Sequence, residues 1–166
     1  MAQTQPQQSL AHKPLVRYEL SAGGLVYREH RRGPAFAMLI DSYGKTTFPK
    51  GHVRRGESVA DAARREIFEE LGLSDLKKIR RLGKIDIEFV DKYVHKGTTI
   101  RKRIYYFLFK APKTSKIKVP EKREKGKETI HKGFWVPIGS VEKVSSYKDL
   151  EDIIKSALSA VQAKLI

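Results

Sequence analysis

The stretch Phe48-Pro-Lys-Gly-His-Val-Arg-Arg-Gly-Glu-Ser-Val-Ala-Asp-Ala-Ala-Arg-Arg-Glu-Ile-Phe-Glu-Glu-Leu-Gly-Leu73 runs from a glycine-rich loop into the clearest helix of the chain. Ser58, with Asp61 three residues later, has the pattern of an N-terminal cap, and Gly72 stands where a left-handed C-terminal cap belongs. One stripe of the helix is apolar and consists of Ala60, Ala63, Ile67 and Leu71. The pattern predicts a helix over 58–71 with one face against a core.

Three glutamates lie on an arc beside that stripe. Glu66 precedes Glu69 by three residues and Glu70 by four, so the side chains meet and repel by about 0.2–0.5 kcal/mol per pair. A hard divalent cation such as Mg²⁺ takes carboxylate oxygens and keeps positions free for substrate phosphates. The cluster is therefore interpreted as a Mg²⁺ site, with Mn²⁺ as a substitute. From the helix alone, an exposed acidic face balanced by Arg65 stays open as the alternative.

The loop before the helix adds two glycines and Glu57, so that a tight turn can bring a backbone carbonyl and this carboxylate to the same place. Loop and helix together resemble the Nudix box. This signature consists of Gly, five residues, Glu, seven residues, Arg-Glu, an aliphatic residue, any residue, Glu-Glu, any residue, Gly and an aliphatic residue. Its fixed positions are all present, as Gly51, Glu57, Arg65, Glu66, Ile67, Glu69, Glu70, Gly72 and Leu73.

The resemblance implies a metal-dependent hydrolase in which water attacks a pyrophosphate group. The roles it carries over by position are these: Glu66, Glu69 and Glu70 hold the metal together with the Gly51 carbonyl, Glu57 supports the metal shell, and Arg65 orients a carboxylate. The catalytic set is thus Glu66, Glu69, Arg65 and Glu57. The general base is either a glutamate of the box or one in a later loop. Glu128, before Trp135, is the candidate for that later glutamate and for a further metal ligand, with an ordinary surface charge as the alternative.

Length and composition limit the number of domains, the possible cysteine chemistry and the expected location of the protein. The 166 residues fit one domain, and the polar, Gln-rich stretch 1–14 is predicted to be a disordered tail before a Nudix domain over 15–166. The lack of cysteine excludes disulfides, thiolate catalysis and Cys-based zinc sites. No export signal and no stretch of about eighteen apolar residues is present, which predicts a soluble cytoplasmic protein without a membrane span.

Hydrophobic patterning around the box predicts several strands and a second helix. Residues 18–28 and 35–40 are expected to form a hairpin, and 85–90 is expected to pair with 104–109 across a basic turn. A long exposed loop over 111–127, a short strand at 134–136 and an amphipathic helix starting near Ser146 follow. This order predicts an α/β (α+β) fold, an α/β/α sandwich around a mixed sheet, which is also the fold that the resemblance implies.

The positive charge is concentrated between Lys77 and Lys132, where 19 Lys and Arg stand against 6 Asp and Glu, so that +13 of the net +15 lies there. An anionic partner, either a nucleotide polyphosphate or a nucleic acid such as RNA, is favoured over a neutral metabolite. A basic surface that only keeps the protein in solution is the alternative.

Sequence motifs outside the box reduce the number of substrate classes that the resemblance allows. The sequence arrays associated with NADH and coenzyme A hydrolases are absent, and Phe89 stands near the place of the proline found in ADP-ribose hydrolases. Phe48-Pro-Lys-Gly-His and Ser21-Ala-Gly-Gly are similar to diadenosine polyphosphate hydrolases and their diphosphoinositol polyphosphate relatives. The leading expectation is therefore hydrolysis of a dinucleoside polyphosphate.

The predicted substrate ligands are Lys50, Tyr93, Lys96, Arg101 and Arg103. Tyr93 is the tyrosine nearest to one that the diadenosine polyphosphate subfamily carries downstream of the box, and the cations of 95–103 suit a chain of phosphates. Phe107 and Trp135 are expected in the core rather than in a base-stacking platform. The alternatives are an RNA 5′-pyrophosphate hydrolase, a (d)NTP pyrophosphatase and a non-catalytic nucleotide sensor, although sensors often lose box carboxylates. The oligomeric state stays open.

Overall fold

The structure is a computed structural model that describes residues 13–121 and 129–164. The predicted tail lies outside these residues up to position 12. The strands are β1 (Val16–Arg28), β2 (Ala35–Ile40), β3 (Thr46–Thr47), β4 (Lys50–His52), β5 (Lys77–Val90), β6 (Thr99–Lys110) and β7 (Lys132–Pro137). The helices are α1 (Val59–Leu71), α2 (Val141–Val144) and α3 (Glu151–Gln162), with short 3-10 turns at Ile138–Ser140 and Lys148–Leu150.

The strands form one mixed sheet in the order β3-β2-β1-β6-β5, with β4 paired to β1 and β7 paired to β2. The predicted hairpin of β1 and β2 is confirmed, as is the antiparallel pairing of β5 with β6. At the centre, β1 runs parallel to β6, with Val16 opposite Thr99 and Tyr27 opposite Lys110. This parallel pair makes the sheet mixed, as predicted.

Helices cover both faces of the sheet, because alternate residues of each strand point to opposite sides. On one side, α1 packs on a core that includes Val26, Ile67 and Phe109. On the other side, α3 packs on a core that includes Tyr106 and Leu108. The predicted α/β/α arrangement is therefore confirmed. Phe107 is buried as expected, and half-buried Trp135 packs against the α1 side of the sheet.

Helix α1 has the caps that its sequence predicts. The Ser58 hydroxyl accepts a hydrogen bond from the Asp61 backbone N–H at 3.1 Å. Gly72 ends the helix with φ of 66°, a left-handed conformation that glycine adopts at little cost, and its N–H donates to the Phe68 carbonyl. Ala63 and Ile67 of the predicted stripe are fully buried.

The predicted start of the last helix and the predicted full exposure of the loop after β6 were wrong. Helix α3 begins at Glu151 rather than near Ser146, because Ser146 accepts a hydrogen bond from the Thr46 N–H instead of entering the helix. The segment 111–121 is irregular but not fully exposed, since Ile117 and Val119 pack against the core under α1. The rest of the predicted loop, 122–127, lies outside the described residues. No helix in the described ranges is long and apolar enough to span a membrane.

Candidate active site

Strand β4 sets the glycine of the loop directly against a helix glutamate. Gly51 pairs with Ala22 of β1, which fixes the loop to the sheet. A Cβ placed on Gly51 would lie 2.1 Å from the Glu66 side-chain carboxyl carbon, so only glycine fits at this position. Glu66 is 1% exposed. The loop therefore closes over a buried carboxylate and holds its backbone against it.

Arg65 connects three carboxylates of the box. Its guanidinium group lies 2.7 Å from a Glu57 oxygen, 2.6 Å from a Glu66 oxygen and 3.3 Å from a Glu69 oxygen. It also donates to the His52 carbonyl at 2.9 Å. The repulsion that the glutamate spacing predicts is thus offset within the protein itself, and loop and helix are tied together by one side chain.

The other two glutamates of the cluster have different surroundings. Glu70 is 3% exposed and accepts a hydrogen bond from the Lys50 backbone N–H at 3.3 Å. Glu69 is partly exposed and lies 3.2 Å from the Arg54 guanidinium. Glu70 thus faces the start of β4, while Glu69 faces the arginine-rich loop.

These contacts shift the ionisation of the groups involved. The hydrogen bond from Arg65 holds the pKa of Glu57 below its usual range, and the same bond raises the pKa of Arg65. Burial, followed by the nearby charge of Glu70, raises the pKa of the Tyr106 hydroxyl. Glu57 therefore stays ionised at neutral pH and Tyr106 stays protonated.

The donor set has the chemistry of a hard divalent cation, since the loop and helix offer carboxylate oxygens and a backbone carbonyl. Within residues 13–121 and 129–164, however, no group of three or more acidic or histidine side chains converges as a ready metal cage. Arg65 lies between the carboxylates of Glu57, Glu66 and Glu69 instead. A bound cation would share these oxygens with Arg65. Glu128, the predicted later glutamate, lies outside the described residues.

A cavity of about 660 Å³ opens beside β4 on the α3 side of the sheet. Lys50, Lys102 and Phe89 line it, as does Tyr106. The far wall is built by Asp41, which accepts a hydrogen bond from the Tyr147 hydroxyl at 2.5 Å. Lys50 belongs both to this cavity and to the carboxylate cluster, because the residue lines the first and its backbone N–H contacts Glu70.

Glu19 contacts two ionisable side chains near this cavity, those of Lys102 and His52. Its carboxylate lies 3.2 Å from the Lys102 ammonium and 3.0 Å from the His52 ring. Burial opposes ionisation of Glu19, but the hydrogen bond with His52 and the charge of Lys102 outweigh it, and the pKa falls below its usual value. Lys102 is thereby held with its side chain toward the cavity.

The structure separates the predicted substrate ligands. Lys50 lines the cavity, whereas Tyr93 and Lys96 are exposed on the loop 91–98. Arg101 and Arg103 flank Lys102 on β6 and therefore point to the opposite face, where they lie 2.6 Å from Glu88 and 2.7 Å from Asp86. Phosphate binding by Tyr93, Lys96, Arg101 and Arg103 stays a prediction.

Sequence reasoning missed four residues around the cavity, namely Glu19, Asp41, His52 and Tyr147, and it included Lys102 only as one cation of the segment 95–103. The face of the sheet on which Lys102 lies depends on the register of β6 against β1, and local sequence does not contain that register. Asp41 and Tyr147 are 106 positions apart and show no shared pattern. Only Asp41, which precedes a tight turn and caps the Tyr43 and Lys45 backbone N–H groups, has a local signal.

Comparison with known proteins identifies the family that has this sequence and fold. A family model described as the NUDIX domain matches residues 17–156. A Mycobacterium tuberculosis protein named mutator protein MutT4 is 33% identical over 101 residues, which cover 56% of this chain and 38% of that protein. The chain thus spans about two fifths of the curated relative that it matches.

Two solved structures share the fold. The Ap4A hydrolase of C. elegans, in a binary complex, has a TM-score of 0.66 and 23% identity, covering 88% of this chain and 98% of that chain. The E. coli dihydroneopterin triphosphate pyrophosphohydrolase has a TM-score of 0.64 and 19% identity, covering 86% of this chain and 98% of that one. At these identities the likeness concerns the fold.

The mixed sheet between two helical layers, with a glycine loop closed over an acidic helix, defines the fold class as that of the Nudix domain. The chain belongs to the NUDIX family, whose domain model covers most of its length. The family predicted from the box is therefore confirmed.

Proposed function

We propose that the protein hydrolyses a pyrophosphate bond in a dinucleoside polyphosphate, with a diadenosine polyphosphate as the first choice. The observation that carries this proposal is the position of Lys50. Its backbone N–H contacts Glu70 of the acidic cluster, and the residue also lines the 660 Å³ cavity together with Lys102. A polyphosphate chain could therefore run from the carboxylates into a cavity with two cations, which suits several phosphates in a row.

The metal proposed for this site is Mg²⁺, with Mn²⁺ as a substitute. Glu66, Glu69 and Glu70 would hold it together with the Gly51 carbonyl, and Glu57 would support them through Arg65. When bound, the ion supplies charge neutralisation at the phosphate oxygens and lowers the pKa of a water molecule. The carboxylate and carbonyl oxygens around the buried Glu66 fit such an ion.

The protein's own groups then have defined roles in the proposed reaction. Water attacks one phosphorus of the anhydride, the P–O bond to the leaving phosphate breaks, and the leaving oxygen carries away the electron pair. Lys50 and Lys102 bind the phosphate oxygens, and Arg65 fixes the angles of the Glu57, Glu66 and Glu69 carboxylates. The proton of the attacking water goes to a box glutamate or to Glu128, both of which stay candidates for the general base.

The cavity walls suit the nucleoside end of such a substrate. Phe89 and Tyr43 are exposed aromatic side chains on two sides of the cavity, and either ring offers a face to a base. The fold-sharing Ap4A hydrolase of C. elegans supports a dinucleoside polyphosphate by analogy. A cytoplasmic location, expected from the sequence, belongs to the same proposal.

An RNA 5′-pyrophosphate hydrolase is the second candidate, favoured by the net charge of +15. A (d)NTP pyrophosphatase is the third, since a fold-sharing neighbour from E. coli is a dihydroneopterin triphosphate pyrophosphohydrolase. A non-catalytic sensor is disfavoured because every carboxylate of the box is present. The three catalytic candidates differ in substrate and not in the acidic site.

Competition between substrates tests the proposal. We would compare kcat/KM for diadenosine tetraphosphate, a 5′-triphosphorylated RNA and dATP at the same Mg²⁺ concentration and ionic strength. The proposal expects diadenosine tetraphosphate to exceed both others by tenfold or more. A preference for RNA or for dATP would replace the first candidate with the second or the third. The Glu66→Gln variant serves as the control for contaminating hydrolases.

A further inference from the structure

We infer that the protein has a second anion-binding surface, at the outer edge of the sheet, which binds the phosphate backbone of a nucleic acid strand. This surface, here called the cationic edge, consists of Lys77, Lys78, Arg80 and Arg81 on the first half of β5. All four side chains are exposed. The inference does not depend on the substrate proposed for the cavity.

Two β-bulges produce the cationic edge. The register of β5 against β6 shifts between Lys78 and Arg80 and again before Gly83, so that Ile79 and Leu82 have no direct partner. Both apolar residues are half-buried and pack against the core under α3. Regular alternation would turn every second residue inward. Because of the bulges, one apolar side chain points toward the core after every two cations that stay exposed to solvent.

Within residues 13–121 and 129–164, the cations of this half-strand differ in ion pairing from those of the rest of β5. In the described part of the chain, none of the four cations of the edge forms an ion pair with a carboxylate. The second half of β5 differs, because Asp86 lies 2.7 Å from both Lys84 and Arg103 and Glu88 lies 2.6 Å from Arg101. Four of the 19 cations between Lys77 and Lys132 thus stand together on one half of one strand.

Neighbouring residues increase the positive potential there. Lys77 stands directly opposite Lys110 in the ladder, an arrangement of like charges that destabilises a sheet. Lys110 and Lys113 share a single carboxylate, that of Glu29, at 2.7 and 3.4 Å. A polyanion bound along the edge would relieve this repulsion.

The dimensions and chemistry fit a nucleic acid strand. The edge spans about 13 Å at about 3.3 Å per residue, which is long enough to meet several successive phosphates, since each strand of a duplex carries one phosphate per about 3.4 Å of helix axis. The Arg81 guanidinium lies 4.3 Å from the centre of the Tyr105 ring, which holds this planar donor at the sheet surface. Contacts of this kind read phosphates and not bases, so binding should be independent of sequence.

An anionic membrane would be the other polyanionic partner. Peripheral membrane binding combines cations with apolar side chains that enter the lipid. Among the described residues, the large exposed apolar side chains lie elsewhere, for example Leu15, Tyr43 and Val94, and none lies between 77 and 84. A further explanation is that lysines on the terminal strand of a sheet prevent edge-to-edge aggregation. The experiment therefore separates nucleic acid from both.

The test compares two variants that lose four positive charges each. The edge variant carries Gln in place of Lys77, Lys78, Arg80 and Arg81. The control variant carries Gln in place of four lysines that are exposed elsewhere on the chain, namely Lys13, Lys143, Lys148 and Lys164. Fluorescence anisotropy with labelled 20-nucleotide oligo(U) and oligo(A) gives Kd at several salt concentrations. Thermal melts confirm that both variants are folded.

The inference expects wild type to bind both oligonucleotides with Kd values within twofold of each other. The edge variant should bind at least tenfold more weakly at 50 mM salt, and its slope of log Kd against log salt should fall by about 2–3. The control variant should lose less than threefold, and all three proteins should hydrolyse diadenosine tetraphosphate at similar rates. Equal losses in the two variants would overturn the inference.

Two other outcomes would also overturn it. One is binding of wild type to phosphatidylserine vesicles, but not to the oligonucleotides, in a way that the edge variant lacks. The other is unchanged oligonucleotide binding in an edge variant that aggregates, which would assign the cations to protection of the sheet edge. If hydrolysis of diadenosine tetraphosphate fails in wild type while the oligonucleotides bind as expected, the proposed substrate is wrong and the cationic edge stands.

Discussion

The Arg65 guanidinium lies 2.6 Å from the carboxylate of Glu66, a side chain that is 1% exposed. A buried carboxylate is strongly destabilising without a partner, and Arg65 supplies one in the absence of metal. The same arginine reaches Glu57 and Glu69, so that it fixes the geometry of the loop and the helix together. Changes at Glu66 should consequently affect both the chemistry and the fold.

Glu66→Gln should lower kcat by two orders of magnitude or more, because a charged oxygen of the proposed metal site is lost. It should also lower the free energy of unfolding by about 1–3 kcal/mol, since the buried ion pair with Arg65 becomes a neutral hydrogen bond. Steady-state kinetics and urea unfolding in EDTA measure the two effects. Glu142→Gln, at an exposed position of α2, is the control. An unchanged kcat would remove Glu66 from the catalytic set.

Gly51→Ala should destabilise the protein by several degrees in Tm and abolish most of the activity. The added methyl group would lie 2.1 Å from the Glu66 carboxyl carbon, and neither the strand nor the buried glutamate can move away freely. Gly139→Ala is the matched control, because a Cβ at that position meets no atom within 4 Å. Similar Tm values for the two variants would show that the loop does not press on Glu66.

Lys50→Ala should raise KM for diadenosine tetraphosphate about tenfold, the loss of about 1.4 kcal/mol of phosphate binding. Arg101→Ala should change KM less than twofold, because its guanidinium is held by Glu88 on the other face of the sheet. The difference should be larger at low than at high ionic strength. An equal rise in KM for both variants would support the phosphate contact predicted for Arg101 from the sequence.

Ionisation of Glu57 should make the thermal stability of the protein depend on pH. Its pKa is lowered in the folded protein from the ordinary 4.5, so its stabilising contribution is complete above that value and is lost as the pH falls through the lower folded pKa. In EDTA, wild type should therefore melt above Glu57→Gln at pH 7, and the gap should close in the acid range. A gap in Tm that is the same at pH 7 and pH 3 would mean that the Arg65 contact does not govern this ionisation.

Removal of divalent metal should stop turnover but leave the protein folded. Helix α1 has its own caps, and Arg65 pairs with the carboxylates, so the Tm in EDTA should lie within about 5 °C of the Tm in Mg²⁺. Activity should return on addition of Mg²⁺ or Mn²⁺. Full hydrolysis in excess EDTA would exclude the proposed metal chemistry, and unfolding in EDTA would make the metal structural.

Sequence patterns predicted what depends on neighbours in the chain. The caps at Ser58 and Gly72 and the apolar stripe of α1 follow from spacing within fifteen residues, and they are confirmed. The family followed from the nine fixed positions of the box. The repulsion among the glutamates was expected as well, although its compensation by Arg65 through three carboxylates became visible only when the loop was placed against the helix.

Patterns that depend on register could not be predicted in the same way. The face on which Lys102 lies is set by its partners in the sheet, and the run Lys77–Arg81 gives no sign of the bulges that keep its cations outside. The short strand β4 was missed because three residues, one of them glycine, are too few for periodicity. Its pairing with β1 depends on residues almost thirty positions earlier.

The parallel pair at the centre of the sheet sets the order in which this chain can fold. Val16 and Thr99, like all twelve pairs in that ladder, are 83 positions apart. Closing so long a loop before any contact forms is entropically costly, and parallel pairing of this kind folds slowly. During synthesis, the acidic helix leaves the ribosome well before β6, so the first core strand must wait with one edge unpaired until the chain has been made almost to Lys110.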